Sequence, residues 1–255
     1  MISNSRLKQL AGYKLSKNCN NDNVFVVEGE KIAAEALLAN LHIVTLCATA
    51  EWLAQNQGLW AAKVPADAIF EVADNELKRL SNLQTPNKVW LLVQQPAVQP
   101  LEPASDGLAI ALDRIQDPGN MGTIIRIADW FGIRHVVCST GTVNYLNPKV
   151  IQASMGSVFR TAVHYTQLTD FLAQCRQRHT AVCGTFINGD NIYTAQLPQN
   201  AVVVIGNESK GIDPDLLPFI NTRLSIPNIG GTCESLNASV ATGIVCSEFC
   251  RRNGF

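Results

Sequence analysis

The chain has 255 residues, of which 47% are hydrophobic and 16% are charged. This composition excludes an intrinsically disordered protein and leaves room for one or two hydrophobic cores. Twenty basic and 21 acidic residues give a formal net charge of -1, which excludes the overall positive charge of a protein that coats nucleic acid. Any contact with a polyanion therefore needs local basic patches. No run reaches the ~18 apolar residues of a membrane span, so we expect a protein that is neither secreted nor membrane-embedded.

The eight cysteines indicate a reducing compartment. They form no C-x-x-C pair, and most lie in apolar stretches such as the one that ends at Cys138. Cys246 and Cys250 are one helical turn apart, but no histidine lies near them to complete a zinc site. We therefore expect reduced core cysteines, no metal site and a cytoplasmic location.

The first part of the chain predicts a small α/β domain over residues 1–95. Runs rich in β-branched and apolar residues are typical of strands, and a helical pattern separates the first two runs. The three predicted strands are 24–27, 43–46 and 90–93, and the predicted helix is 30–39.

A proline-rich stretch separates this part from the rest of the chain. Pro96, Pro100 and Pro103 prevent both a helix and a central strand, which indicates a linker over 96–106 before a second domain over 107–255. Apolar runs of the second domain lie at 108–112, 135–138, 181–185 and 201–205. Helical patterns alternate with them at about 119–131, 147–158 and 167–177, and a final helix spans 237–252 with a stop at Gly254. This alternation predicts a parallel sheet with helices on both faces and ligands at the carboxyl ends of its strands.

A strand end, a tight turn and a helix start follow one another over residues 112–126. Asn120 is a residue type that caps helices, so we expect it at the N-cap. Arg126 follows six residues later, far enough along the helix to face the same opening. Taken alone, the segment fits better with a capped turn that carries a surface arginine.

Two later segments also join a strand or loop to polar residues. After the strand that ends at Ile205, the loop 206–211 contains glycines that let main chain approach a ligand, and Glu208 is a hydrogen-bond acceptor. In the loop before the last helix, Ser235 and Asn237 lie at a helix N-terminus, where an anion is favoured. The alternatives are an ordinary turn for the first segment and simple capping for the second.

Together these segments resemble the SpoU class of RNA ribose 2′-O-methyltransferases, part of the knotted SPOUT superfamily. The matching motifs are Asn120 to Arg126, Gly206 to Gly211, Ile226-Pro227 with Ser235-Leu236-Asn237, and Asn147-Pro148-Lys149 with Ala153-Ser154-Met155-Gly156-Ser157. Residues 25–31 resemble the ribosomal-protein-L30-like (L30e-like) domain that binds RNA substrates in many members. The resemblance implies an α/β fold: a C-terminal SPOUT parallel sheet with a trefoil knot, preceded by a small L30e-like domain.

The resemblance also implies the chemistry. The cofactor is S-adenosylmethionine, no metal takes part, and the acceptor is a ribose 2′-hydroxyl of RNA, with ribosomal RNA favoured over transfer RNA. Catalysis is assigned to Asn120, Arg126, Glu208, Ser235 and Asn237. The main chain of Gly206, Ile226 and Leu236 is assigned to S-adenosylmethionine, with Thr185 as a further neighbour.

Three further expectations follow. The resemblance implies a homodimer, and the small residues Ala238, Ala241, Gly243 and Cys246 of the last helix suggest close helix packing there. Because a guanidinium stays protonated, we expect Arg126 to position a phosphate and not to act as the base. The alternative function is a non-catalytic RNA-binding module that retains the knotted fold.

Overall fold

The computed structural model describes residues 2–85, 87–97, 101, 107–231 and 234–253. The chain divides into two compact units, one made of residues 1–97 and 146–159 and the other of residues 98–145 and 160–255. The linker predictions at Pro100 and Pro103 and the helix stop predicted at Gly254 lie outside the described residues.

The first unit is a four-stranded mixed sheet with helices around it. Its strands are β1 (Val24–Glu28), β2 (Ile43–Ala48), β3 (Ile69–Glu71) and β4 (Val89–Gln94), in the order β1-β4-β2-β3. Its helices are α1 (Asn4–Ala11), α2 (Ser16–Asn21), α3 (Glu30–Leu38), α4 (Ala50–Gln55), α5 (Gln57–Trp60), α6 (Asp74–Leu80) and α8 (Pro148–Ser154). β4 is antiparallel to both of its neighbours, and β2 and β3 are parallel. The α/β character predicted for this part of the chain is confirmed.

The second unit is a six-stranded sheet in which every pairing is parallel. Its strands are β5 (Leu108–Leu112), β6 (His135–Ser139), β7 (Ala162–Thr166), β8 (Ala181–Asn191), β9 (Ala201–Ile205) and β10 (Thr222–Ser225), in the order β10-β8-β9-β5-β6-β7. Its helices are α7 (Pro118–Trp130), α9 (Leu168–Gln177) and α10 (Ala238–Arg252). The central strand β9 is buried at every residue, as the unbroken apolar run predicted. The predicted parallel sheet is therefore confirmed.

Three strands, β3, β7 and β10, escaped sequence analysis, and all three lie at sheet edges. β3 has only three residues, β7 has a single buried residue, His164, and β10 has four residues with a single buried one, Leu224. The helix predicted over 147–158 was wrong at its end, because Met155 takes a left-handed conformation and Gly156 also has a positive φ. A 3-10 turn, Ser157–Phe159, follows that break.

The cysteines within the described residues are free thiols, and most are buried. Burial raises the pKa of Cys47 to about 12 and that of Cys183 to about 11. Over the described ranges there is no cluster of histidine, cysteine and acidic side chains that could hold a metal ion. No helix in the described part of the chain is both long and apolar enough to cross a membrane.

Candidate active site

Two loops of the second unit start side by side at the carboxyl edge of the sheet. β5 and β9 are parallel neighbours, and their last residues, Leu112 and Ile205, are paired in register. The loop after β9 is closed by two main-chain hydrogen bonds between Asn207 and Gly211, of 3.1 and 2.9 Å. A Cβ on Gly206 would lie 2.5 Å from the Gly211 carbonyl carbon, so only glycine fits there.

The side chain of Asn207 ties this loop to the loop after β5. Its Nδ2 donates to the carbonyl oxygen of Arg114 at 2.8 Å, while its Oδ1 accepts from the amides of Ser209 at 3.0 Å and Lys210 at 3.1 Å. These bonds fix the main chain on both sides of Glu208. Sequence analysis missed Asn207, although asparagine commonly bonds to main chain in turns and could have indicated this role.

An ion-pair cluster supports the loop after β5. Arg114 has a positive φ of 54°, and its guanidinium bonds to the buried carboxylate of Asp113 at 3.0 Å and to Asp213 at 2.7 Å. The same oxygen of Asp113, Oδ2, also accepts a hydrogen bond from the Asp213 amide at 2.8 Å. Arg114 therefore joins three chain segments as a structural residue, and its charge is already paired.

The start of α7 differs from the prediction. Asp117 is the N-cap, with its carboxylate accepting from the Asn120 amide at 2.7 Å, and Pro118 occupies the first helical position. The prediction of Asn120 as the N-cap was wrong, because an aspartate followed by proline starts the helix three residues earlier. As a result, the Asn120 side chain is not used to cap the helix.

A chain of side-chain hydrogen bonds joins three predicted site residues. Asn120 donates through Nδ2 to the Glu208 carboxylate at 2.7 Å, and Asn237 donates through Nδ2 to Asn120 Oδ1 at 2.9 Å. A hydrogen bond to a charged acceptor is stronger than a neutral one, and successive bonds polarise each other. Glu208 and Asn237, which follow Asn120 by 88 and 117 positions in the sequence, are thus brought together at its side chain.

Asn237 is also the N-cap of α10. Its Oδ1 accepts from the amides of Ser239 at 2.9 Å and Val240 at 3.3 Å, and from the Ser239 hydroxyl at 2.7 Å. The capping interpretation and the site interpretation both hold for this residue, because its amide oxygen serves the helix and its amide nitrogen serves Asn120.

The structure does not bring Arg126 into this hydrogen-bonded group. Six helical residues correspond to a rise of about 9 Å and a rotation of about 240°, so Arg126 faces a different side of α7 from Asn120. Its side chain is exposed and makes no hydrogen bond or ion pair with the other described residues. Ser235 is exposed on the loop just before Asn237.

The residues expected to hold S-adenosylmethionine present free main-chain groups. Gly206 and Ile226 are half-buried, and the Leu236 residue is 49% exposed. Within the described part of the chain, the main-chain groups of these three residues form no hydrogen bond. Uncharged donors and acceptors of this kind suit the ring and hydroxyl groups of a nucleoside, so the three residues fit the adenosyl part of the cofactor. The Thr185 hydroxyl instead bonds to the Val204 carbonyl at 3.1 Å.

Comparison with known families gives two matches. The SpoU rRNA Methylase family matches residues 107–247, and the MRM3-like substrate binding domain matches residues 4–90. The first match alone covers more than half of the chain.

Relatives of known structure or name match nearly the whole chain. The 23S rRNA (guanosine(2553)-2′-O)-methyltransferase RlmP of Bacillus subtilis is 27% identical over 249 residues, which cover 95% of this chain and 94% of that protein. A solved structure from Porphyromonas gingivalis, described as a member of the TrmH family, is 39% identical with a TM-score of 0.87, covering 99% of both chains. The S-adenosylmethionine-bound rRNA methyltransferase of Sinorhizobium meliloti is 27% identical with a TM-score of 0.86, covering 99% of this chain and 96% of that one.

The parallel sheet, its carboxyl-edge site and these similarities define a methyltransferase of the SPOUT type that acts on RNA. More narrowly, the chain belongs to the SpoU rRNA methylase family. The family and the α/β fold class expected from the sequence motifs are confirmed, and the trefoil knot stays a prediction.

Proposed function

We propose that this chain transfers the methyl group of S-adenosylmethionine to a ribose 2′-hydroxyl of ribosomal RNA in the cytoplasm. Family membership supports the reaction and the cofactor, and RlmP, which resembles the chain over 95% of its length, is named for the same reaction on 23S rRNA. The match of residues 4–90 to a substrate binding domain supports an RNA-binding role for residues 1–95, with the methyltransferase domain spanning 107–255. The observation that carries the proposal is the bonded chain of Glu208, Asn120 and Asn237 at the carboxyl edge of the sheet.

The site residues have separate tasks in this proposal. When bound, S-adenosylmethionine supplies an electrophilic methyl group on a sulfonium. The main chain of Gly206, Ile226 and Leu236 holds its adenosyl part. Asn120, held in place by Glu208 and Asn237, orients the ribose so that its 2′-oxygen is aligned for attack.

Two exposed side chains contact the RNA itself in this proposal. Ser235 donates its hydroxyl to a ribose or phosphate oxygen. Arg126 grips the neighbouring phosphate through two parallel hydrogen bonds, for which its exposed guanidinium is unpaired within the described structure. Because a guanidinium stays protonated in proteins, the hydroxyl proton passes to water or a neighbouring acceptor once the ribose is aligned.

We also propose the trefoil knot and the homodimer that the family implies. The support for the knot is membership of the SpoU rRNA methylase family. The small residues of α10 do not support the dimer, since Cys246 is buried and Gly243 faces Ile127 of the same chain. The support is instead apolar exposure: Trp130 at the end of α7 is 84% exposed.

Light scattering tests the dimer. The full chain at micromolar concentration should have twice the monomer mass, and Trp130→Glu should shift the mass towards that of the monomer. A monomeric wild-type protein would contradict this part of the proposal.

Methyl transfer tests the main proposal directly. The purified chain is incubated with methyl-labelled S-adenosylmethionine and ribosomal RNA from cells that lack the protein, without added metal. The label should enter RNA and remain on ribose after nuclease digestion, and transfer RNA serves as the comparison substrate. Label on a base would contradict the 2′-O assignment. If S-adenosylmethionine and RNA both bind but no label moves, the non-catalytic RNA-binding module is the better account.

A further inference from the structure

A second cavity lies at the edge of the sheet opposite the active site. It measures about 440 Å³ and is lined by Arg176, His179, Thr180, Ala181 and Asn221. Residues 180 and 181 lead into β8, and residue 221 immediately precedes β10. The cavity therefore opens at the amino ends of these parallel strands, whereas Glu208 and Asn120 follow carboxyl ends.

The polar side chains that line this cavity offer mainly hydrogen-bond donors. Arg176 and His179 are exposed and basic, Thr180 contributes a hydroxyl, and none of the described residues that line the cavity is acidic. Asn221 is held by two bonds to Val182: its amide donates to the Val182 carbonyl, and its Oδ1 accepts from the Val182 amide, both at 2.8 Å. The Nδ2 donor of Asn221 makes no hydrogen bond with the other described residues and is available to a ligand.

His179 has a left-handed main-chain conformation, which glycine adopts more readily than other residues. It follows the end of α9 with a left-handed φ of 58°, and the Thr180 amide closes the helix end by donating to the Cys175 carbonyl at 2.9 Å. A side chain at this position carries a conformational cost that glycine lacks. The His179 imidazole thus lies near Arg176 in the sequence, at a position where the side chain does not contribute to ending the helix.

We propose that this cavity binds a phosphate group. Arg176 provides a planar pair of donors that matches phosphate oxygens, while His179, Thr180 and Asn221 supply further donors around it. A phosphate of the RNA backbone and a free phosphate compound share this chemistry. In the RNA case the inference rests on the proposed function, and the cavity anchors a stretch of substrate away from the methylated ribose.

The structure offers a matched control for this site. Arg178 lies in the same turn as Arg176, is exposed and carries the same charge, but it does not line the cavity. Both arginines offset the negative end of the α9 dipole, so a purely helix-stabilising role would make Arg176→Gln and Arg178→Gln equivalent. A phosphate site predicts that they differ.

RNA binding by the full chain is the first test. Affinity for a labelled single-stranded oligoribonucleotide should fall about 3- to 10-fold in Arg176→Gln and in His179→Gly, and less than about twofold in Arg178→Gln. The salt dependence of binding should weaken by about 0.7 in logarithmic slope for Arg176→Gln, the value for one phosphate contact on a single strand. His179→Gly should keep or raise the melting temperature, which separates lost binding from lost folding.

Inorganic pyrophosphate is the second probe and identifies the source of the phosphate. If pyrophosphate raises the melting temperature of the wild type but not of Arg176→Gln, and the RNA affinities are equal, the site is supported as one for a free phosphate compound. The proposal is overturned if Arg176→Gln and Arg178→Gln lower RNA affinity, or the pyrophosphate-induced rise in melting temperature, by the same amount. It is also overturned if Arg176→Gln changes neither quantity. Methyl transfer is measured separately, so a failure of the proposed function leaves the pyrophosphate result interpretable.

Discussion

Two substitutions of Asn237 separate its role as the N-cap of α10 from its role as a hydrogen-bond donor to Asn120. Asn237→Asp keeps an oxygen that can accept from the amides of Ser239 and Val240, and a negative charge is favoured at a helix N-terminus. It removes the Nδ2 donor that lies 2.9 Å from Asn120 Oδ1. Asn237→Ala removes both the cap and the donor.

The expected magnitudes differ between the two variants. Loss of the cap costs about 1 kcal/mol, so Asn237→Ala should lower the melting temperature by roughly 2–4 °C. Loss of the bond to Asn120 is worth about 0.5–1.5 kcal/mol, and 1.4 kcal/mol corresponds to a tenfold effect, so both variants should lose about 2- to 10-fold in turnover. In Asn237→Asp a carboxylate oxygen also faces Asn120 Oδ1, and the repulsion between these two acceptors adds to its loss of activity.

Single-turnover methyl transfer at saturating RNA and thermal unfolding are measured on the same preparations. Asn237→Asp should retain the melting temperature of the wild type within about 1–2 °C while its rate falls. The reasoning is refuted if Asn237→Asp melts as early as Asn237→Ala yet transfers methyl groups at the normal rate.

Substitutions at Arg126, Gly206 and Glu248 address different parts of the molecule. Arg126→Lys should retain part of the single-turnover rate that Arg126→Ala loses, with S-adenosylmethionine affinity normal in both; a rate of Arg126→Lys that recovers steeply only at high pH would instead identify arginine as the base. In urea, Gly206→Ala should unfold at much lower concentration than the wild type, because its Cβ meets backbone at 2.5 Å, while Gly230→Ala, which has open space, should be unchanged. Hydrogen bonds from Arg251 and, to a smaller extent, Arg252 lower the pKa of Glu248 from 4.5 to about 2. The stability that Glu248 adds to the fold is therefore complete above pH 4.5 and is lost as the pH falls towards 2. Glu248→Gln should therefore lower stability at neutral pH and flatten its decline over that range; an unchanged acid profile would contradict this assignment.

The central fold could be predicted from the sequence because its signals are local. β5 and β9 are unbroken apolar runs, and α7 and α10 begin at polar capping residues. The edge strand β10 could not be found in this way, since its residues are mostly polar and only its pairing with β8 makes it a strand. Strand pairing depends on distant residues that a local pattern does not contain.

The same distinction applies to the site. The family motifs identified Asn120, Glu208 and Asn237, but not that one chain of hydrogen bonds connects them. A local rule placed Asn120 at the helix cap, whereas Asp117 and Pro118 provide a stronger start signal that was overlooked. The role of Asn207 was missed because its partner, the Arg114 carbonyl, is 93 positions away.

The reactivity of the buried thiols reports how often the structure around them opens. A thiolate is the reactive form of cysteine, and with its pKa raised to about 12 the thiol of Cys47 is almost entirely protonated at neutral pH. Cys183, with its pKa raised to about 11, is similarly unreactive in the second unit. Alkylation of either residue thus requires the surrounding structure to open first. The rates at which the two cysteines are labelled would therefore measure the opening of each unit separately, in the unmodified sequence.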